Sequence, residues 1–289
     1  SADGRYVVFA SDATNLVSGD TNGLRDVFLF DSQTTLVRRL SVSQQGAQGN
    51  GASNNPAISA DGRYVAFSSN ASNLVLGDNN GFSDIYIVDT ITGLISTVSV
   101  TTGGAQANNP SFRPAISTDG RYVVFESTAT NLDAAYTALL APGSSHIYVR
   151  DRTLSTTRLV DVDSTTPASV AGNANAIQAA ISADGTVIAF ASRATNLNPL
   201  GATAAGRQHV YVRPMANVVA GTSGIKLLSV QTGTNIQANA DSQTPSLSST
   251  GKWIAFASVA TDLVAGDTNG VSDIFAFDTT LAAPAGVRI

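Results

Sequence analysis

Residues Ser59–Asp89 read SADGRYVAFSSNASNLVLGDNNGFSDIYIVD, and close copies of this stretch begin at Ser1, Ser117, Ser182 and Ser248. Self-similarity at a long period marks a repeat architecture, in which each copy buries its apolar faces against its neighbours. Successive copies start 58, 58, 65 and 66 residues apart. The extra residues of the later copies fall at Asp133–Ser144, Ser164–Asn175 and Asn198–Arg207, where loops are expected.

Within a copy, short β-branched and aromatic runs alternate with Gly, Asn, Asp and Pro, the punctuation of strands. The first run is PAIS, Pro56–Ser59, matched at Pro114–Ser117 and more loosely at Ala179–Ser182 and Pro245–Ser248. An Asp-Gly pair follows (Asp61-Gly62, Asp119-Gly120, Asp184-Gly185) and predicts a tight turn, because its backbone tolerates positive φ. RYVAF is the second strand, with counterparts at Arg5–Phe9, Arg121–Phe125, Thr186–Phe190 and Lys252–Phe256; DIYIVD is the third, recurring at Asp26–Asp31, His146–Asp151, His209–Arg213 and Asp273–Asp278. The fourth is LISTVSV, matched by LVRRLSV, TTRLVDV and IKLLSV. No helical periodicity is visible.

Four short antiparallel strands in about sixty residues describe a propeller blade. The second and third strands are apolar at consecutive positions, as neighbouring blades covering both faces require. The outer strand, where Arg38, Arg39 and Thr97 alternate with apolar residues, is expected to be solvated on one side. The expectation is therefore an all-β chain, a single β-propeller domain over residues 1–289 with five four-stranded antiparallel blades. Six or seven blades, some outside this sequence, are the alternative.

Charged residues make up 13% of the chain, against roughly 25% in ordinary soluble domains, so the surface relies on Ser, Thr, Asn, Gln and Gly. A net charge of −5 with scattered Arg argues against nucleic acid or an anionic membrane as partner, since both need clustered cations. No run approaches the roughly 20 apolar residues of a membrane helix, so no membrane insertion is expected. The chain starts inside a repeat and without Met, as a processed product would. Absence of Cys excludes disulfides and thiolate sites; with Lys only at Lys226 and Lys252, it leans toward an exported protein, secreted, periplasmic or at the cell surface.

The pattern SADGRYVAFSS followed by NLV, GD, NG and SDIYIVD resembles the TolB-type bacterial β-propeller repeat family, with its WD40-like, PD40-type blades. The likeness covers all five copies. It implies a propeller that serves as a periplasmic or extracellular protein-interaction platform, or as a substrate-gating domain attached to a peptidase. This sequence departs from the family pattern in the long loop between second and third strands, Ser11–Arg25 in the first copy.

That loop carries Asp20, Asn22 and Asp26 in DTNGLRD, Asp78, Asn80 and Asp84 in DNNGFSD, and Asp267, Asn269 and Asp273 in DTNGVSD. Oxygen donors at positions 1, 3 and 7 of a Gly-containing loop could wrap Ca2+, which takes six to eight hard oxygens. The Gly stands at position 4, however, and no bidentate Glu follows. The competing reading is that Asn-Gly makes the turn while the Asp side chains cap backbone amides. Both histidines, His146 and His209, replace Asp at the start of the third strand. They could share a metal, or supply the hydrogen-bonding group that ties the strand start to the adjacent turn.

Glu126 is the only glutamate and stands where the other copies have Ala or Ser. It is the one candidate for a catalytic acid of the glycosidase kind, against a strand-end residue paired with a nearby Arg. No nucleophile elbow, phosphate loop, HExxH or CxxC is present. Trp253 aligns with Tyr6, Tyr64 and Tyr122 and is expected in the core, leaving Tyr136 as the main aromatic outside the core strands. The functional expectation is a non-enzymatic exported scaffold binding a protein or polymer, its loops stabilised by Ca2+ in one version. A carbohydrate-active enzyme or lectin, and a self-assembling surface or filament subunit, are the alternatives.

Overall fold

In the computed structural model, the described residues are 1–140, 143–163, 170–198, 206–222, 224–232, 234, 236–280 and 287–288. They form six antiparallel sheets. The first has three strands, β1 (Tyr6–Ser11), β2 (Asp26–Asp31) and β3 (Leu36–Arg39). The second holds β4 (Ser53–Ile58), β5 (Tyr64–Ser69), β6 (Asp84–Asp89) and β7 (Ile95–Thr97), side by side in chain order. The third repeats that order with β8 (Ser111–Ile116), β9 (Tyr122–Ser127), β10 (His146–Asp151) and β11 (Thr156–Leu159). A hairpin of β12 (Val162–Asp163) and β13 (Val170–Ala171) precedes the fourth sheet, β14 (Ala176–Ile181), β15 (Val187–Ser192), β16 (His209–Pro214) and β17 (Lys226–Leu227). The sheet of the fifth copy is β18 (Ser242–Leu247), β19 (Trp253–Ser258), β20 (Asp273–Asp278) and β21 (Val287–Arg288). This meander, repeated copy by copy, is the β-propeller pattern read from the sequence.

The chain divides into two compact units, Ser1–Ala134 with Val149–Thr157, and Ala135–Tyr148 with Arg158–Ile289. In the first unit β4 packs against β1 and β2, and β8 against β4, β5 and β6. Its core interleaves Val27, Leu29 and Leu40 of one sheet with Val65, Phe67, Tyr86 and Val88 of the next. In the second unit β18 packs against β14, β15 and β16. There Ala189, Val210, Val212 and Leu228 meet Ile254, Phe256, Phe275 and Phe277. Burial of both faces is why the second and third strands carry unbroken apolar runs. In the first and fourth sheets cross-strand rings stack directly: Phe9 on Phe28 at 5.7 Å and Phe190 on Tyr211 at 5.7 Å between centroids.

The turn between first and second strands follows its chemistry. Ser59 Oγ donates to Asp61, Asp61 accepts the Arg63 amide, and Gly62 takes φ +74°. The aromatic ring that follows the turn of one copy lies on the turn glycine of the next, Tyr6 on Gly62 and Tyr64 on Gly120. An Arg at the start of the second strand closes on an Asp at the end of the third: Arg5 with Asp31 at 2.8 Å, Arg63 with Asp89 at 2.9 Å, Arg121 with Asp151 at 2.7 Å. The fourth copy loses both partners together, having Thr186 and Pro214 at these places.

Five features differ from expectation. The first strands run longer than PAIS and each contains a bulge, at which Asn55, Arg113, Gln178 and Thr244 take positive φ. Each such non-glycine residue costs on the order of 1–3 kcal/mol, yet the bulge recurs in every first strand described. A six-residue helix, α1 (Met215–Ala220), begins at the extended Pro214 and ends on Gly221 in the left-handed region; it is too short to leave a periodic signature. The outer strands stop early, because Ser41 and Ser99 side chains, in place of the backbone, accept the Val27 and Ile85 amides. Arg39, expected in solvent, has a side chain only 10% exposed, since it turns inward to Asp20 and Asp26. Trp253, expected in the core, is 37% exposed.

Candidate functional site

The start of each third strand is a buried polar node built from two positions. The first is Asp26, Asp84, His146 or His209; the second is Ser41, Ser99, Asp161 or Ser229, at the end of the fourth strand's ladder. In every one of these copies the second residue accepts the amide that follows the first, from Val27, Ile85, Ile147 and Val210 at 3.1, 3.0, 2.8 and 3.2 Å. Ser41 and Ser99 then donate to the Asp26 and Asp84 carboxylates, both at 2.5 Å. In the third copy the chemistry is inverted: His146 Nδ1 lies 2.7 Å from the Asp161 carboxylate. In the fourth, His209 Nδ1 lies 3.1 Å from Ser229 Oγ. Each histidine is thus engaged within its own sheet, as a tie at the strand start.

These environments shift the two imidazoles in opposite directions. Burial lowers the affinity of His146 for a proton, but the adjacent Asp161 charge and its hydrogen bond overcome this and hold the imidazole above its ordinary pKa. Burial likewise depresses His209, Arg207 adds repulsion, and the pKa falls to about 4. Burial also raises the Asp84 carboxyl, against the hydrogen bonds it receives from Ser99 and Asn80.

The residues singled out for Ca2+ are brought together as hydrogen-bonded pairs. Asn22 Nδ2 donates to Asp26 at 3.0 Å and its Oδ1 accepts the Leu24 amide; Asn80 does the same with Asp84 at 2.7 Å and Phe82, and Asn269 with Asp273 at 2.9 Å and Val271. A calcium ligand set would need the Asn oxygen on the ion, where here the amide nitrogen faces the carboxylate. Asp20 is 3.0 Å from the Arg39 guanidinium, while Asp78 accepts from the Tyr86 hydroxyl. Asp267 is half-buried in the equivalent turn. Among the described residues no group of three or more His, Asp or Glu is placed to hold a metal. A melt with and without chelator separates the two readings: the hydrogen-bonded turns require an unchanged midpoint, and a drop would restore the ion.

Glu126 is buried and lies 3.1 Å from Arg113, the bulge residue of β8. A second network, absent from the sequence reading, ties consecutive copies. Asn50 accepts the Ser72 amide and donates to the Ser72 hydroxyl, while Asn73 accepts the Asn50 amide. Asn108 with Thr130 and Asn131, Asn173 with Thr195 and Asn196, and Asn239 with Thr261 and Asp262 repeat it. Its signal was an Asn recurring just ahead of each first strand.

No family model matches the chain, and no curated protein matches it. Solved structures do. Over 100% of this chain and 77% of the other, it is similar to a putative TolB from Agrobacterium tumefaciens at 16% identity and TM-score 0.54. Similarity to TolB from Acinetobacter baumannii is 17% in identity with TM-score 0.50, covering 99% of this chain; this chain spans about half, 54%, of that one. An oligogalacturonate lyase in complex with manganese is similar over 96% of this chain and 61% of its own, at 10% identity and TM-score 0.56. At these identities the likeness speaks to architecture: the chain has the fold of the TolB-type β-propellers.

Proposed function

We propose that residues 1–289 are one domain, a non-enzymatic exported propeller scaffold that holds a protein or polymer partner on its variable loops. The carrying observation is that the recurrent polar residues are consumed by the fold. Asp, Asn, Ser and His at the strand starts bond one another copy after copy, and Glu126 is paired with Arg113. Variation falls instead on Asp133–Ser144 and Asn198–Arg207, and binding concentrates on such loops when a rigid scaffold positions them. Within the first of these, Leu139 is half-exposed beside the buried Leu140; residues 141–142 and 199–205 lie outside the described set. The lack of Cys and near-absence of Lys support export, and the neighbouring TolB structures support a binding role.

The test replaces Asp133–Ser144 with the second copy's shorter loop and compares partner capture by the parent and the variant, with circular dichroism as the folding control. Capture is expected to fall at least tenfold while the melt is retained. Glu126→Gln, His146→Gln and His209→Gln are expected to leave no catalytic phenotype on glycans, oligogalacturonate with manganese included. Turnover abolished by Glu126→Gln would establish the enzyme reading instead, and a mass that grows with concentration would favour the assembling subunit.

A further inference from the structure

One position of the fourth strand lies opposite the aromatic residue of the third in each copy: Arg39 opposite Phe28, Thr97 opposite Tyr86, Leu227 opposite Tyr211. In the first copy the Arg39 guanidinium is enclosed by acceptors. Its Nη1 lies 3.0 Å from Asp20 and 3.3 Å from Asp26 and donates to Gln48 Oε1 at 3.1 Å, while Nη2 reaches the Gly19 carbonyl at 3.5 Å. The second copy keeps all four acceptor residues, as Asp78, Asp84, Gln106 and Gly77, but has Thr97 in place of the arginine. An open cleft of about 760 Å³ lies there, bordered by Gly77, Asn79, Thr97 and Gln106, with Val75 and Val100 as apolar walls.

The acceptors of the second copy lack the charge that the first copy supplies. Tyr86, standing where the first copy has Phe28, donates its hydroxyl to Asp78, which gives a hydrogen bond but no positive charge. Among the described residues no Lys or Arg pairs with Asp78 or Asp84. Gln106 turns Nε2 to the Gly77 carbonyl at 2.8 Å, and its Oε1 takes the Asn79 amide at 3.4 Å, where Gln48 Oε1 accepts from Arg39, Thr21 and Asn22. Burial, and after it the charge of Asp78, push the Asp84 carboxyl up, as befits a buried carboxylate with no cation beside it.

We propose that this cleft receives a guanidinium group, carried on an arginine side chain of a protein partner. A planar fork of donors fits carboxylate and carbonyl acceptors as a point-like ammonium does not, and Arg39 shows the same acceptor set engaged by that group. The third and fourth copies, whose loops lack the Asp-Asn-Gly, bury Leu159 and Leu227 at this position. In them neither the acceptors nor a cation is kept; the second copy keeps the acceptors and leaves the place of the cation to Thr97. Asp78 and Asp84 would repel the α-carboxylate of free arginine, which favours an arginine held within a peptide chain. The protein source rests on the scaffold reading, whereas recognition of guanidinium does not. None of the residues of the cleft belongs to Asp133–Ser144 or Asn198–Arg207, so the two proposals fail separately.

The probe is the tripeptide N-acetyl-Gly-Arg-Gly-amide, titrated into the full chain and followed by NMR at the Gln106 side-chain amide and the Gly77 and Asn79 backbone amides. Saturable shifts are expected with a Kd of about 1–10 mM, the range for one charge-assisted group in a partly open site. The lysine tripeptide is expected to bind at least fivefold more weakly. Thr97→Arg fills the cleft from within, as Arg39 does, and should abolish the shifts while the melting midpoint is held or raised. Asp78→Asn should weaken binding at least fivefold, with circular dichroism as the folding control. The proposal is overturned if no saturable shift appears at these amides, if binding survives Thr97→Arg undiminished, or if the lysine tripeptide binds equally, which would reduce the cleft to a patch of negative charge. Tighter binding of free L-arginine than of the tripeptide would overturn the protein source.

Discussion

Replacing Gly62 with alanine is expected to destabilise the protein by roughly 2–4 kcal/mol, read as a lowered denaturant midpoint with unchanged slope. Two costs combine. Gly62 has φ +74°, where a side chain costs on the order of 1–2 kcal/mol. An added Cβ would also stand 2.3 Å from Cδ2 of Tyr6. That ring is restrained, because the Arg5 guanidinium stacks over it at 4.7 Å from the centroid and is itself held by Asp31. The resulting overpacking adds about 1–3 kcal/mol. Gly81→Ala is the control: φ is +75° but nothing lies within 4 Å of the added carbon, so only the backbone cost of about 1 kcal/mol remains. In the double variant Gly62→Ala with Tyr6→Ala the two changes should cost less than their sum by about 1 kcal/mol or more. Equal losses at Gly62 and Gly81 would show that the ring and the next copy's turn are not coupled.

That glycine also shows which parts of the fold were legible in advance. Asp61-Gly62 announces its turn locally, because positive φ is a property of one residue. The apolar runs announce their strands for the same reason. What the turn glycine packs against is not local: Tyr6 comes from 56 residues earlier, and only the repeat geometry brings it there. Trp253 was misread on the same account. It aligns with Tyr6 and Tyr64, whose rings lie on the turn glycines Gly62 and Gly120 of the following copies, and alignment records a position in the strand, not what packs over it. Arg39 was misread because alternation along a strand records which face a residue takes, not whether two carboxylates wait there. The candidate site was half legible. The recurrence of Asp26, Asp84, His146, His209 and Asp273 at one position marked the node, and Glu126 pairs with an arginine as one reading held. The partner residues Ser41, Ser99, Asp161 and Ser229 were hidden inside what looked like the continuous fourth strand.

Those partners produce the other large effect, a pH dependence of opposite sign at two equivalent histidines. His209 is held neutral: its folded pKa of about 4 lies below the unfolded value near 6.5. Its contribution is therefore fully present above pH 6.5 and is lost as pH falls from 6.5 toward 4, a loss of roughly 3 kcal/mol for a shift of this size. The groups facing it are Ser229 and Gln237, which hydrogen-bond it, with the charges of Arg207, Asp241 and Asp262 around them. His146 faces Asp161 and has a raised pKa, so its contribution is complete below pH 6.5 and disappears as pH rises through the folded value. His209→Gln should accordingly flatten the acid side of the stability profile between pH 6.5 and 4, whereas His146→Gln should flatten the side above 6.5. Ser229→Asp copies the third copy's partner into the fourth and should lift the His209 pKa by at least one unit in an NMR titration. If both glutamine variants changed the same side of the profile, or if Ser229→Asp left His209 where it was, the second position of the node would not be what sets the charge of the first.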